Sequence, residues 1–429
     1  MMANRTVGQV VEKKLCTGCG TCVSMCPKKA VSLFIEKKSP VYVAKVDNAV
    51  CVNCGLCLKV CPGYAVDFAQ LNRKFLGKDL PADRLGILLG NYLKCYNGFA
   101  SDAHVRYDSS SGGLVTQLLL FALDEGIIDG VLVTRMSKDN PLESEPFIAR
   151  TKKEIIEASK SKYCPVPANI ALREILEKDG KYAVVGLPCH IQGIRKAEFV
   201  NKTLRDRIVL HLGIFCSHTD NFYQTDYLLK RWNIKRSDVH RIDFRGKGWP
   251  GLSSIRLKSG NELNYPYLDW TAIHELYFFS PPRCFVCYDH TSELADVSFG
   301  DAWLPEFSND KIGQSVVISR TMAGEMLLLK AKASKKVKLN EVSALKVAVS
   351  QGMVRFKKPG FFSRSIIFRL IGKEIPTYSV PKQKTSFLDL SYSSLLLFNN
   401  ALGTSRRNWW LIPSITKIQK TLKESHKAL

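Results

Sequence analysis

Two cysteine runs near the start of the chain constrain it more than any other feature. The first is Cys16-Thr-Gly-Cys19-Gly-Thr-Cys22-Val-Ser-Met-Cys26-Pro27, and the second is Cys51-Val-Asn-Cys54-Gly-Leu-Cys57-Leu-Lys-Val-Cys61-Pro62. Both read C-x2-C-x2-C-x3-C-P. Three thiolates on such a loop grip three irons of a [4Fe–4S] cube, and the fourth cysteine ligates the neighbouring cube. The pattern predicts Cys16, Cys19, Cys22 and Cys61 around one cluster, and Cys51, Cys54, Cys57 and Cys26 around a second. Eight cysteines can also build two zinc sites or a disulfide set. Neither accounts for a doubled run with proline after each last cysteine. The expectation is a bacterial-type 2[4Fe–4S] ferredoxin domain that handles electrons one at a time.

The chain has 429 residues, room for about three domains and a substantial core. Its 14 cysteines follow no apolar leader, because cluster ligands already occupy the first thirty residues. That points to a reducing cytoplasm. No uninterrupted apolar stretch reaches spanning length. The net charge is +23, and residues 351–429 carry 14 Lys or Arg against three acids. Such a surplus draws anionic partners or simply keeps a surface solvated. No recognition motif surrounds the basic residues, so nucleic acid is not expected.

The composition divides the chain into residues 1–72 (ferredoxin domain), 73–92 (connector punctuated by Gly77, Pro81 and Gly86), 93–345 (body) and 346–429 (basic C-terminal extension). In the first part, residues 41–46 read as a strand. In the body, helix patterns over 114–123 and 168–178 alternate with strand patterns over 127–134, 182–186, 208–215 and 295–299. The fold class is therefore α+β, a ferredoxin domain followed by a mixed α/β body. The extension sets apolar clusters among basic residues and prolines. It can lie on a partner or on the cytoplasmic membrane face, or it can fold back over the body.

Six cysteines remain. Cys189 and Cys216 each follow a predicted strand, at the sheet edge where α/β proteins place their sites. Cys284 and Cys287 form a C-x2-C clamp. Together these four can bind zinc as readily as iron, but a third redox centre extends a wire and zinc does not. Cys95 and Cys164 read as buried small hydrophobes.

Ser109, Ser110, Ser111, Gly112 and Gly113 lead straight into the helix at 114. Glycines let a phosphate approach, and the helix N-terminus offers free N–H groups; a capped helix after a turn has the same look. No G-x-G-x-x-G appears in a Rossmann context. Clusters pass single electrons while organic reductants surrender hydride, so a flavin is the natural converter between them.

With Ser161-Lys-Tyr163, Gly186-Leu-Pro-Cys-His190, Phe244-Arg-Gly-Lys-Gly-Trp249, Arg283-Cys-Phe-Val-Cys287 and Glu293-Leu-Ala-Asp-Val-Ser-Phe-Gly-Asp-Ala-Trp303, the body resembles the family of coenzyme F-420 hydrogenase and dehydrogenase beta subunits. The resemblance implies FAD beside a cluster held by Cys189, Cys216, Cys284 and Cys287. It also implies that Ser109 to Gly113 receive the flavin with help from Ser161 and Lys162. Arg245 and Lys247 become candidates for holding an anionic cofactor, and an exposed loop pair explains their charge equally well. His190 is the candidate to orient or protonate, against a purely structural role.

The expected activity is hydride transfer from reduced F-420 to FAD, with single electrons leaving through the clusters to a redox partner or larger complex, or the reverse. Two alternatives stand beside it. One is a ferredoxin-fed flavin reductase of an organic substrate. The other is a non-catalytic relay subunit docked through the basic tail.

Overall fold

The computed structural model describes residues 5–425. Its centre is an eight-stranded mixed sheet. The strand order is Val337–Glu341, Lys94–Ala100, Ser315–Ser319, Val297–Asp301, Ile208–Ile214, Tyr182–Gly186, Gly130–Met136, Ser144–Ala149. The four strands from Val297–Asp301 to Gly130–Met136 pair in parallel. Lys94–Ala100 shares their direction, since two antiparallel pairings separate it from Val297–Asp301. The C-terminal ends of these strands thus meet at one edge, where α/β sheets collect their sites.

Alternation along the strands builds both faces. Val131 and Val133 point to one apolar cluster, with Leu118, Phe121, Leu327 and Leu328 of the helices Leu114–Asp124 and Met322–Ala333. Leu132 points to the other, with Ile191 and Ile194 of the helix Pro188–Val200. Each such side chain contributes about 1.5–3 kcal/mol on burial. The strand predicted over 127–134 begins later than its apolar run suggests. Gly126 turns the chain at φ +62°, so Ile127 and Ile128 precede strand Gly130–Met136.

The N-terminal part carries the hairpin Val31–Ile35/Tyr42–Val46. The helix Phe68–Leu76 runs across residue 72, and Arg84–Leu89 is helical too. Half of the stretch read as a connector is therefore helix, the two helices capped by Asp67 and Asp83 side chains.

The C-terminal extension folds back over the body. Phe361, Phe368 and Leu396 join a core cluster that also holds Val10, Val60 and Phe68 of the N-terminal part. Trp409 and Ile412 pack with Trp270, Phe278 and Phe279. The short strand Thr377–Tyr378 pairs in parallel with Ala65–Val66. Among the described residues no helix is long and apolar enough to cross a membrane.

Candidate functional site

The first cysteine group opens to solvent. Cys26, Cys51, Cys54 and Cys57 line one concavity with Pro27 and Gly55, and Cys54 is exposed. Main-chain N–H groups already point at its sulfurs: Val7 to Cys57 at 3.3 Å, Ala30 to Cys26 at 3.3 Å and Asn53 to Cys51 at 3.4 Å. Such donors stabilise thiolate and sulfide charge. The chain reverses between ligands at Gly55, φ +75°, as it does at Gly20, φ +87°.

The second group is buried. Burial raises the Cys22 and Cys61 thiols, Cys61 to about 12, and neighbouring cysteines raise them further. For Cys61 those neighbours are Cys19 and Cys16, and for Cys22 they are Cys61, Cys19, Cys16 and Cys57. Cys26 thus lies with Cys51, Cys54 and Cys57, and Cys61 with Cys16, Cys19 and Cys22. Thiols held so unfavourably as anions need a metal to be deprotonated, and this donor set fits iron–sulfur cubes.

The third group sits at the sheet edge. Cys189 opens the helix after Tyr182–Gly186, and Cys216 follows Ile208–Ile214, its N–H donating to His290 O at 2.9 Å. Cys284 lies on a one-turn helix after Pro281, with Cys287 just beyond it. These four line one cavity together with Cys16 and Gly18 of the N-terminal part. Burial raises Cys189 strongly; Cys19 adds to this, as do Cys216, Cys287 and Cys284. The three groups therefore run in sequence, with Cys57 near Cys22 and Cys19 near Cys189. Cys95 and Cys164 lie apart in apolar clusters, where burial lifts their thiols to about 11 and about 12.

The serine–glycine loop has a different character from the one its hydroxyls suggest. Ser109 Oγ donates to Val105 O at 2.6 Å, and Ser111 Oγ to Gln314 O at 2.8 Å. Ser110 Oγ accepts from the Ser161 N–H at 2.8 Å. All three hydroxyls are thus turned to protein. What remains for an anion is main chain: Gly113 at φ +74° precedes the helix Leu114–Asp124 with no side-chain cap. Gly246 and Gly248 border this loop, and the Gly248 N–H donates to Tyr107 O at 2.9 Å. Beside them the Trp249 and Trp303 rings lie 4.5 Å apart, and the buried Trp249 indole N–H has no partner. An uncapped helix start beside an aromatic pair with a free donor has the chemistry to meet a phosphate-bearing aromatic group.

The charged candidates are largely committed elsewhere. Arg245 is buried, pairs with Asp301 at 2.7 Å and lies 4.3 Å over the Tyr267 ring. Lys247 pairs with Glu262 and reaches Asn264 Oδ1 at 3.1 Å. Lys162 donates to the carbonyls of Ala158, Ser159 and Lys160, and burial pulls its ammonium down to about 7. His190 is held at both nitrogens: Nδ1 accepts from the Leu187 N–H at 3.2 Å, and Nε2–H donates to Val166 O at 3.0 Å. Burial keeps it neutral, at about 4. Its geometry is that of a helix cap, and neither ring nitrogen is free for a substrate.

Sequence reasoning missed two features. His218 and Asp220, two and four residues after Cys216, meet His274 in a buried group, with His218 stacked on His274 at 4.0 Å between centroids. Proximity to Cys216 was the available signal. Lys357 lines the third cysteine cavity from the C-terminal extension, and nothing local marks it.

Residues 15–65 match the 4Fe-4S dicluster domain. With the doubled cysteine runs, that makes the chain an iron–sulfur protein of the electron-transferring oxidoreductases. Residues 95–173 and 179–344 match the N-terminal and C-terminal parts of the coenzyme F-420 hydrogenase/dehydrogenase beta subunit. The beta subunit of coenzyme F-420 hydrogenase from Methanothermobacter thermautotrophicus is 30% identical over 258 residues, 57% of this chain and 83% of that protein. A subunit of the F-420H2 dehydrogenase of Methanosarcina mazei is 24% identical over 329 residues, 74% of this chain and 83% of its own length. A chain of the F-420-reducing [NiFe] hydrogenase complex from Methanosarcina barkeri superposes with a TM-score of 0.51 at 25% identity, covering 67% of this chain and 97% of that one. The chain belongs to the family of coenzyme F-420 hydrogenase/dehydrogenase beta subunits.

Proposed function

We propose that the chain is an F-420-linked oxidoreductase that exchanges hydride with coenzyme F-420 at the body and single electrons with a partner at the N-terminal part. The observation that carries this reading is the third cavity, where Cys16 of the N-terminal part faces Cys189, Cys216, Cys284 and Cys287 of the body. Cys16, Cys19, Cys22 and Cys61 would hold one cube, Cys51, Cys54, Cys57 and Cys26 the second, and the four body cysteines a third. FAD would supply the conversion between a hydride pair and single electrons. Gly113 and the first turn after it would receive its phosphates, since the Gly112 N–H is given to Ser315 Oγ at 3.1 Å, with Ser110 and Ser161 holding the loop in shape. Lys162 braces the neighbouring segment through the carbonyls of Ala158, Ser159 and Lys160, and Arg245 orients Asp301 and Tyr267.

The solvent-facing Cys54 end suits exchange with a docked redox protein, beside exposed Val50 and Val52. A second reading, a relay subunit within a larger complex, draws support from the hydrogenase complex that holds the similar chain. Leu370, Phe387, Leu388 and Trp410 are exposed apolar side chains on the extension, available to a partner or a membrane surface. Anaerobic turnover separates the readings. The reconstituted full chain alone should oxidise reduced F-420 while reducing a viologen dye. No exchange with F-420 in either direction overturns the proposal, and exchange only after a partner is added favours the relay.

A further inference from the structure

We propose that the C-terminal extension sets the redox potential of the body centre through Lys357, an inference that rests on the reading of Cys189, Cys216, Cys284 and Cys287 as cluster ligands. The family-model match ends at residue 344, and Lys357 lies beyond it on the C-terminal extension. It lies on the helix Met353–Leu370, is 1% exposed, and lines the cavity with those four cysteines.

Its neighbours fix it there. Lys358 pairs with the buried carboxylate of Glu293 and lies 4.1 Å over the Tyr288 ring. Arg364 Nε donates to Phe285 O, inside the clamp, and its Nη2 to Lys357 O at 3.3 Å. Phe361 and Phe368 pack against Tyr288 and Phe285, with centroids 5.7 Å and 6.3 Å apart. The helix is therefore registered on the segment that carries Cys284 and Cys287.

The two adjacent lysines differ in one respect. Lys358 has its carboxylate. Among the described residues no carboxylate lies within ion-pair distance of Lys357. Asp289 shares the cavity, but its carboxylate accepts from Gln192 Nε2 at 3.2 Å and from the Glu293 N–H at 3.2 Å. A buried cation without a counter-charge is costly. Four thiolates around an iron–sulfur cube supply that counter-charge, because such a centre is anionic. Of the charged side chains near Cys216 and Cys284, Lys357 acts on them most strongly. Reduction adds one more negative charge to the cube. A buried ammonium favours the reduced form in this poorly screened interior and so raises the potential.

The test is an EPR-monitored redox titration of the anaerobic holoprotein, wild type against Lys357→Met and Lys357→Arg. The wild type should hold about 12 irons per chain, four per cube. In Lys357→Met one of three one-electron waves should fall by at least a tenfold change in equilibrium constant, about 59 mV. In Lys357→Arg it should stay near its wild-type position. An unmoved wave in the Met variant overturns the proposal, as does an equal fall in the Arg variant. If the Met variant loses the body centre, retention at wild-type potential in Lys357→Arg supports the charge requirement, and loss in both overturns it. About 8 irons in the wild type would instead overturn the cluster reading itself.

Discussion

Gly193 meets Thr21 with no room for a Cβ: one built on Gly193 would lie 2.3 Å from Thr21 Oγ1. This contact seats the N-terminal part on the helix Pro188–Val200, which carries Cys189 in its first turn. Asn169 locks the same joint, its Nδ2 donating to Thr21 Oγ1 at 2.8 Å and to His190 O at 2.9 Å. The Cys19 carbonyl in turn accepts from the Asn169 N–H at 2.8 Å. The distance between the second and third cysteine groups is thus set by close packing rather than by a tether.

Gly193→Ala should therefore destabilise the protein by about 1–3 kcal/mol, the range for overpacking a filled interior. Thr21→Ala removes the obstructing oxygen and should recover part of that loss in the double variant. Anaerobic denaturant titrations of the four proteins in the cycle measure this coupling, and strict additivity would show that the two residues do not meet.

The N-terminal site was legible because its chemistry is local: each run sets three ligands within seven residues, and proline marks its end. Cys189 and Cys216 were legible because each follows an apolar strand. What lay hidden depends on long-range pairing. Ser109 and Ser111 look like phosphate donors until Val105 O and Gln314 O are seen to take their protons. Arg245 looks free until Asp301, 56 residues on, is found beside it. Folding back over the body is one of the readings the basic extension allows, but nothing in its sequence marks Lys357, Lys358 and Arg364 as buried. Its partners lie in segments that sequence spacing cannot bring together.

Cys284→Ser should remove one ligand of the body centre and leave the N-terminal runs untouched. Iron should fall from about 12 to about 8 atoms per chain, on four per cube. An unchanged iron content with unchanged EPR spectra would show that Cys284 holds no metal.

A buried charge network that includes Arg195 and Glu198, on the helix that carries Cys189, should shape stability against pH. His211 donates to Asp296 at 2.9 Å and to Glu198 at 2.6 Å, and Arg195 bridges the same two carboxylates. Burial and Arg195 push the His211 pKa down, but the carboxylates more than offset this and the net shift is upward. Its contribution is complete below the unfolded histidine value, about 6.5, and fades as pH rises through the folded value. Asp296, despite burial, is held well below the usual carboxylate range by Arg195 and His211. Its contribution is present above the unfolded aspartate value, about 3.9, and is lost as pH falls through the folded value. Urea midpoints should peak between these limits. His211→Gln should cost about 3–5 kcal/mol and flatten the alkaline limb; an alkaline limb unchanged in that variant would contradict the assignment.

Arg283 joins three parts of the chain. Its guanidinium donates to Pro62 O at 3.2 Å, to Val286 O at 3.1 Å and to the Tyr378 hydroxyl at 2.6 Å. Tyr378→Phe should cost about 1.5–3 kcal/mol, the range for a hydrogen bond to a charged group. Limited proteolysis should then cut the extension first. Cleavage spread evenly over the chain would show that Tyr378 does not hold the extension down.

The central claim is that the body cavity connects coenzyme F-420 to the N-terminal cysteine sites. Rapid mixing of reduced F-420 with the oxidised, anaerobic holoprotein, followed by freeze-quench EPR, tests it most directly. Signals of reduced [4Fe–4S] centres should appear as F-420 is oxidised, and Cys189→Ser should abolish the signals of the N-terminal pair. Oxidised F-420 without reduced clusters, or reduction of the N-terminal pair undiminished in Cys189→Ser, would contradict the account.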